Sequence, residues 1–195
     1  MTFSALLLAG GESRRMGRDK ATMEFEGRPF WERQTQLLRA LGPEKIMVSA
    51  RTAPSWLPHD VELLLDDPPS RGPLSGLAKA LATIETTHLV VLAVDMPFMT
   101  PGELGGLLEL ATEGRGVVPA IGDRAEPLAA VYPAEAAEDL QAALAGSDFS
   151  LQLTVRTLVE TGKVRLCRLP DGRTDLYRSV NEPGDFKEGR FETAP

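Results

Sequence analysis

A chain of 195 residues with 43% hydrophobic and 25% charged side chains has an ordinary globular balance and can bury a substantial core, so one domain spanning residues 1–195 is the expectation. The net charge of −7 argues against general nucleic-acid binding, which needs clustered cations on a phosphate backbone, and no apolar run approaches the roughly 18 residues of a membrane-spanning helix. A single cysteine, Cys167, and two histidines, His59 and His88, exclude an internal disulfide framework and any cysteine-rich or histidine-rich metal centre. The opening Met1-Thr2-Phe3-Ser4 lacks the basic flank of a secretory signal, and a cytoplasmic protein is expected.

In chain order, Phe3 to Leu8, Lys45 to Ser49, Val61 to Leu65 and His88 to Val94 are short apolar runs of the kind found in buried strands. Helical patterns lie between them. After Pro29, the spacing of Phe30, Gln34, Leu37, Leu38 and Leu41 marks one face of a helix that Gly42-Pro43 stops. Pro73 opens a second helix with Leu74, Leu77, Ala78 and Leu81 on its inner stripe. Thr100-Pro101 supplies a cap and a first-turn proline for a third, running through Leu104, Leu107, Leu108 and Ala111. Further on, Gly116 to Pro119 and Leu128 to Tyr132 read as strands, Ala134 to Leu144 and Leu151 to Glu160 as helices, and Val164 to Leu169 and Tyr177 to Val180 as closing strands. Cys167, inside an apolar strand, is expected to be buried, while Trp56, Pro58 and His59 read as a surface loop. The Pro- and Gly-rich stretches Asp66 to Pro73 and Pro170 to Thr174 are too short for domain linkers and read as working or connecting loops.

Strand and helix alternating in this way predict an α/β, three-layer sandwich with a mostly parallel, Rossmann-like central sheet. Ligands then belong at the C-terminal ends of the strands. Arg14, Arg15, Arg18 and Lys20 gather positive charge near the start of an otherwise acidic chain, which suggests a small anionic ligand rather than a polymer.

That basic stretch belongs to Leu8-Ala9-Gly10-Gly11-Glu12-Ser13-Arg14-Arg15-Met16-Gly17-Arg18-Asp19-Lys20, directly after the first predicted strand. Paired glycines allow main-chain N–H groups to approach a phosphate or base closely, and the cations that follow can neutralise a triphosphate. The spacing fits neither a Walker loop nor the dinucleotide fingerprint. Asp95 ends the apolar run Leu89 to Val94, so its carboxylate is expected at a strand end facing the ligand crevice, where a hard oxygen suits Mg²⁺. A turn-capping role ahead of Pro97 is the competing account.

The segment Leu8 to Lys20 resembles the N-terminal loop of the molybdenum cofactor guanylyltransferases (MobA-type), members of the nucleotide-diphospho-sugar-transferase-like fold. Asp66-Asp67-Pro68-Pro69-Ser70-Arg71-Gly72-Pro73-Leu74-Ser75-Gly76 is similar to the family's second motif, and Ala93-Val94-Asp95-Met96-Pro97-Phe98 to its metal-binding aspartate motif. Glu126-Pro127-Leu128 and Val180-Asn181-Glu182-Pro183 follow in the family's order, so the likeness spans essentially the whole chain.

The resemblance implies transfer of GMP from GTP to molybdopterin with release of pyrophosphate, dependent on Mg²⁺. It implies nucleotide contacts from the main chain of Leu8, Ala9, Gly10 and Gly11, nucleoside recognition by Asp66, with Asp67 as the alternative, and phosphate contacts from Arg15 and Lys20. Asp95 would hold the metal. Exposed cations with packed stems are the alternative for Arg15 and Lys20. Two departures stand out. Arg51 occupies a place after the second strand where the family commonly has asparagine, and Ser179 precedes Asn181 where two asparagines can stand; Arg51 and Asn181 are the weaker site candidates. Implied partners are GTP and molybdopterin, with transient contacts to molybdoenzyme apoproteins or other cofactor-biosynthesis proteins, no nucleic acid and no membrane; a monomer is the expectation. Cytidylyl transfer to molybdopterin, nucleotidyl transfer to another small phosphate, and a noncatalytic nucleotide sensor remain open alternatives.

Overall fold

The computed structural model describes residues 1–10, 19–181 and 185. Strand β1 (Phe3–Leu8) is buried over five of its six residues, because both of its edges are paired and both of its faces are covered. After it come a two-residue hairpin, β2 (Glu24–Phe25) and β3 (Arg28–Pro29), and helix α1 (Phe30–Ala40). Then follow β4 (Ile46–Ala50), β5 (Glu62–Leu65), α2 (Pro73–Thr83), β6 (His88–Ala93) and α3 (Pro101–Leu110). The remainder is β7 (Gly116–Ile121), β8 (Arg124–Ala125), β9 (Ala129–Pro133), α4 (Ala137–Ala145), α5 (Leu151–Glu160) and β10 (Val164–Arg168).

The main sheet has the order β10-β7-β9-β6-β1-β4-β5, with β8 paired to β7. Its left half in this order holds the reversals: β9 runs antiparallel to both β6 and β7, and the short β8 antiparallel to β7, whereas β6, β1, β4 and β5 are parallel neighbours. The chain leaves β1 towards β4 and β5, then returns to place β6 on the other side of β1. That change of direction opens a crevice above the strand ends.

Alternation along β1 divides the core in two. Ala5 and Leu7 join the cluster containing Phe30, Leu37 and Leu38 of α1 and Leu104 and Leu107 of α3. Leu6 and Leu8 face the other way, into Leu74, Leu77 and Leu81 of α2, Leu140 of α4 and Val155 and Leu158 of α5. Two helical layers therefore sandwich the sheet, as the sequence pattern predicts. Burying a leucine in either layer is worth about 1.5–3 kcal/mol, which is why neither helical layer separates from the sheet at little cost.

Three expectations need correction and one element is added. Tyr177 to Val180 is not a strand: Asp171–Tyr177 forms a 3-10 helix, Arg178 N–H closes it on Asp175 O at 3.3 Å, and the single bond to the sheet's end, Val180 N–H to Asp95 O at 2.8 Å, is too little for a ladder. The segment from Ala134 starts as a 3-10 turn, Ala134–Ala136, before α4. Cys167 is only half-buried, because β10 has β7 as its single neighbour and leaves Leu166 exposed. The hairpin β2–β3 had no counterpart in the reading of the sequence. Its turn residues Glu26 and Gly27 both take positive φ, 53° and 76°, the geometry that favours glycine at the second position. Among the described residues no helix is long and apolar enough to cross a membrane.

Candidate active site

Above the crevice lies a cavity of about 280 Å³ walled by the ends of four parallel strands. Leu8, Ala9 and Gly10 contribute the end of β1, and Ala9 N–H is held by Ser49 O at 2.9 Å. Arg51 follows β4 and also lines the cavity. Gly11 and Arg15 lie outside the described residues, as do the other members of the basic loop between residues 11 and 18.

Asp66 follows β5, its N–H bonded to Ala50 O at 3.0 Å. Ser49 Oγ donates to its Oδ1 at 2.9 Å and Ser70 Oγ to its Oδ2 at 2.7 Å, so the carboxylate is oriented from two sides at the cavity wall. Asp67 points elsewhere: it pairs with Lys79 at 3.0 Å and its side chain is 85% exposed. Of the two aspartates, Asp66 is thus the one in the cavity. Ser49 and Ser70 were not singled out from the sequence; each reads there as an ordinary strand or loop residue, and only the fold brings them to Asp66.

Gly72 and Pro73 complete this wall. Gly72 has φ 68° and ψ −147°, a conformation that a side chain would strain, and it turns the chain so that α2 begins at the cavity with Pro73 in its first turn. The start of an 11-residue helix here adds partial positive charge, which is favourable to an anion.

Asp95 lies in the turn just after β6, with Val94 N–H bonded to Leu8 O at 3.0 Å, so its position is tied to the end of the central strand. Lys20 reaches it from a short 3-10 helix, Lys20–Thr22. Asp19 caps that helix through Ala21 N–H at 3.0 Å and accepts from Trp56 Nε1 at 2.8 Å. Lys20 Nζ stands 3.4 Å from Asp95 Oδ2 and donates to Asn181 Oδ1 at 2.6 Å. Residues 20, 95 and 181 therefore meet at one point, with Lys20 and Asp95 both largely covered at 24% and 21% side-chain exposure. Asn181 was ambiguous in the sequence because its partner is 161 residues away.

Among the described residues no cluster of three or more His, Cys, Asp or Glu side chains could cage a metal by itself. Asp95 and the Asn181 amide oxygen provide two hard oxygens beside an open cavity. That donor set suits an ion that keeps waters and shares phosphate oxygens, as Mg²⁺ does, and it does not suit zinc or a soft metal.

An open α/β sheet whose first strand leads into a glycine, with a helix start, a lysine and a carboxylate gathered over the strand ends, defines the nucleotidyltransferase class of domain. Within it, the chain belongs to the MobA-like NTP transferase domain family, whose model matches residues 5–161. It is 36% identical over 191 residues to a probable molybdenum cofactor guanylyltransferase of Opitutus terrae, covering 96% of this chain and 95% of that protein. It is 39% identical over 155 residues to the molybdenum cofactor guanylyltransferase of Cereibacter sphaeroides, covering 76% and 78% of the two chains. The crystal structure of molybdopterin-guanine dinucleotide biosynthesis protein A from Archaeoglobus fulgidus shares the fold, with a TM-score of 0.73 at 24% identity and coverage of 94% and 95%.

Proposed function

We propose that this chain transfers GMP from GTP to the terminal phosphate of molybdopterin, releasing pyrophosphate, with Mg²⁺ as the required ion. The observation that carries the reading is the meeting of Lys20, Asp95 and Asn181 at the mouth of the cavity formed by the ends of β1, β4, β5 and β6. Relatives bearing the guanylyltransferase name over most of this chain's length supply the nucleotide and the acceptor.

In this reading the nucleoside lies against the main chain of Leu8, Ala9 and Gly10. A Cβ on Gly10 would be in ordinary contact, 3.6 Å from Asp66 Oδ2, so the protein's own packing does not demand glycine there; close approach of a ligand does. Asp66, with one serine donating to each oxygen, presents its remaining lone pairs to nucleoside donors. Lys20 contributes a point charge to the phosphates, joined by Arg15 from the loop. Asp95 and Asn181 would hold Mg²⁺, and what that ion supplies when bound is neutralisation of the polyphosphate charge. An acceptor phosphate oxygen attacks the α-phosphorus, a new P–O bond forms, the bond to the β-phosphate bridging oxygen breaks, and the electron pair leaves on pyrophosphate. No protein nucleophile is needed, so positioning and charge carry the acceleration.

The test is incubation of the protein and Mg²⁺ with molybdopterin and each of GTP, CTP, ATP and UTP, followed by mass analysis. A guanine dinucleotide formed from GTP alone is expected. A cytosine dinucleotide from CTP would replace the reading, and nucleotide binding without pyrophosphate release would reduce the chain to a sensor.

A further inference from the structure

A second, more open cleft of about 550 Å³ adjoins the first cavity, sharing Pro73 and Leu128 with it. Its wall also includes Met96, next to Asp95, and Ser179, two residues before Asn181, so it borders the reacting side of the nucleotide site. Glu126 lies in this wall, and nothing derived above uses it.

The backbone around Glu126 is clamped. Its N–H donates to Pro119 O at 2.8 Å, and the next carbonyl, Pro127 O, accepts from the buried Tyr132 hydroxyl at 2.9 Å. On the preceding residue, Gln152 receives Ala125 N–H at 3.2 Å and donates to Ala125 O at 2.8 Å. The carboxylate held by this frame takes no hydrogen bond among the described residues. Of the other long polar groups in the wall, Gln152 is committed at both ends to Ala125 and the Tyr177 hydroxyl to Glu103 at 2.8 Å, while Arg124 is exposed and acts on Glu126 only through its charge. Burial raises the Glu126 pKa above the ordinary carboxylate value, with Arg124 opposing the shift only in part. A partly desolvated carboxylate with no hydrogen-bond donor costs stability, and a ligand with matching donors would recover that cost.

Resting on the proposed acceptor, we infer that this cleft is the acceptor-ring subsite and that Glu126 accepts the paired N–H donors of a 2-amino-4-oxopyrimidine edge, as a pterin presents. Two parallel N–H···O bonds to one carboxylate fix both position and orientation of a planar ring. From there the acceptor's phosphate can extend past Met96 and Ser179 towards Lys20. Guanine carries the same edge, but the base of GTP is assigned to the Asp66 side, so the two sources are separable by experiment.

The experiment is a fluorescence titration of the full chain with pterin and with lumazine, which has oxygen in place of the 2-amino group, on wild type and E126Q. Wild type is expected to prefer pterin by about tenfold, and E126Q, which offers one acceptor and an opposing NH₂, to lose that preference. A circular dichroism melt establishes that the variant is folded. Equal pterin affinity in wild type and E126Q, or no pterin binding by wild type, overturns the assignment. Calorimetric titration with GTP should give the same affinity in both proteins; a tenfold loss in E126Q would put guanine on Glu126 and overturn it as well. Pterin discrimination in a wild type that transfers no GMP to molybdopterin would sink the proposed reaction and leave the subsite standing.

Discussion

Replacing Gly76 with alanine sets two effects of opposite sign against each other. Gly76 lies inside α2, where alanine is favoured over glycine by about 0.5–1 kcal/mol on backbone grounds alone. Its added Cβ, however, would stand 2.1 Å from Ser49 Oγ, 2.7 Å from Ser49 Cβ and 2.9 Å from Leu8 Cδ2. Rotating the serine hydroxyl relieves only the first contact, since Ser49 Cβ is fixed to strand β4. Helix or strand must move, and overpacking of this kind costs ~1–3 kcal/mol. The steric term wins, leaving a net loss of roughly 1 kcal/mol, or a Tm lower by about 2–4 °C for a chain of this size. Because Ser49 orients Asp66, GTP affinity measured by calorimetry should fall together with the melting temperature. Gly106 of α3 is the internal control. A Cβ there meets nothing within 4 Å, so Gly106→Ala should raise Tm by about 2 °C. A Gly76→Ala melt at or above that of wild type would refute the steric reasoning.

Asp95→Ala should stay folded, since its main-chain bond to Val180 survives, while steady-state GMP transfer falls roughly 100-fold or more; unaltered Mg²⁺-dependent turnover would remove Asp95 from the site. Lys20→Ala should raise the KM for GTP by about tenfold, and an unchanged value would make Lys20 a surface charge. Glu103 takes the Tyr177 hydroxyl at 2.8 Å and Arg173 at 3.0 Å, fastening the segment that carries Asn181 to α3. Glu103→Gln should therefore cost about 1–3 kcal/mol in thermal or denaturant unfolding and lower kcat for GMP transfer as Asn181 loses its place. For Glu126, burial raises the folded-state pKa above the ordinary 4.5. Its neutral form is the one the fold favours, so this contribution to stability is complete below pH 4.5 and lost as pH rises through the raised value. Urea unfolding should accordingly find E126Q at least as stable as wild type at pH 7, with the difference shrinking towards acid; the opposite trend would contradict a desolvated carboxylate.

Where local pattern decides structure, the sequence was readable to within a residue or two. The apolar run of β1, the Pro73 start of α2 and the Thr100 cap of α3, whose Oγ1 accepts Glu103 N–H at 3.2 Å, are all local signals. The direction of β9 carries no such signal, because an all-apolar strand looks alike read either way. The stretch from Tyr177 to Val180 was misread for a different reason. Tyr177 is apolar enough for a strand, yet its hydroxyl is held by Glu103, 74 residues earlier, and Val180 N–H by the carbonyl of Asp95. Of the candidate site, the strand-end position of Asp95 was legible in the apolar run ahead of it, whereas Gly10, Lys20 and Asp66 were picked out by motifs that resemble the family's. The choice of Asp66 over Asp67 depended on Lys79, and the company of Asn181 on residue 20, relations that appear only after folding.

Lysine, aspartate and asparagine at the cavity mouth come from early, middle and late in the polypeptide. During translation, then, most of the scaffold can assemble before the last of the three has been made. A product cut short just ahead of that asparagine would possess every described strand yet, on the proposed assignment, lack one of the two oxygens offered to the metal, so chemical competence would arrive after architecture.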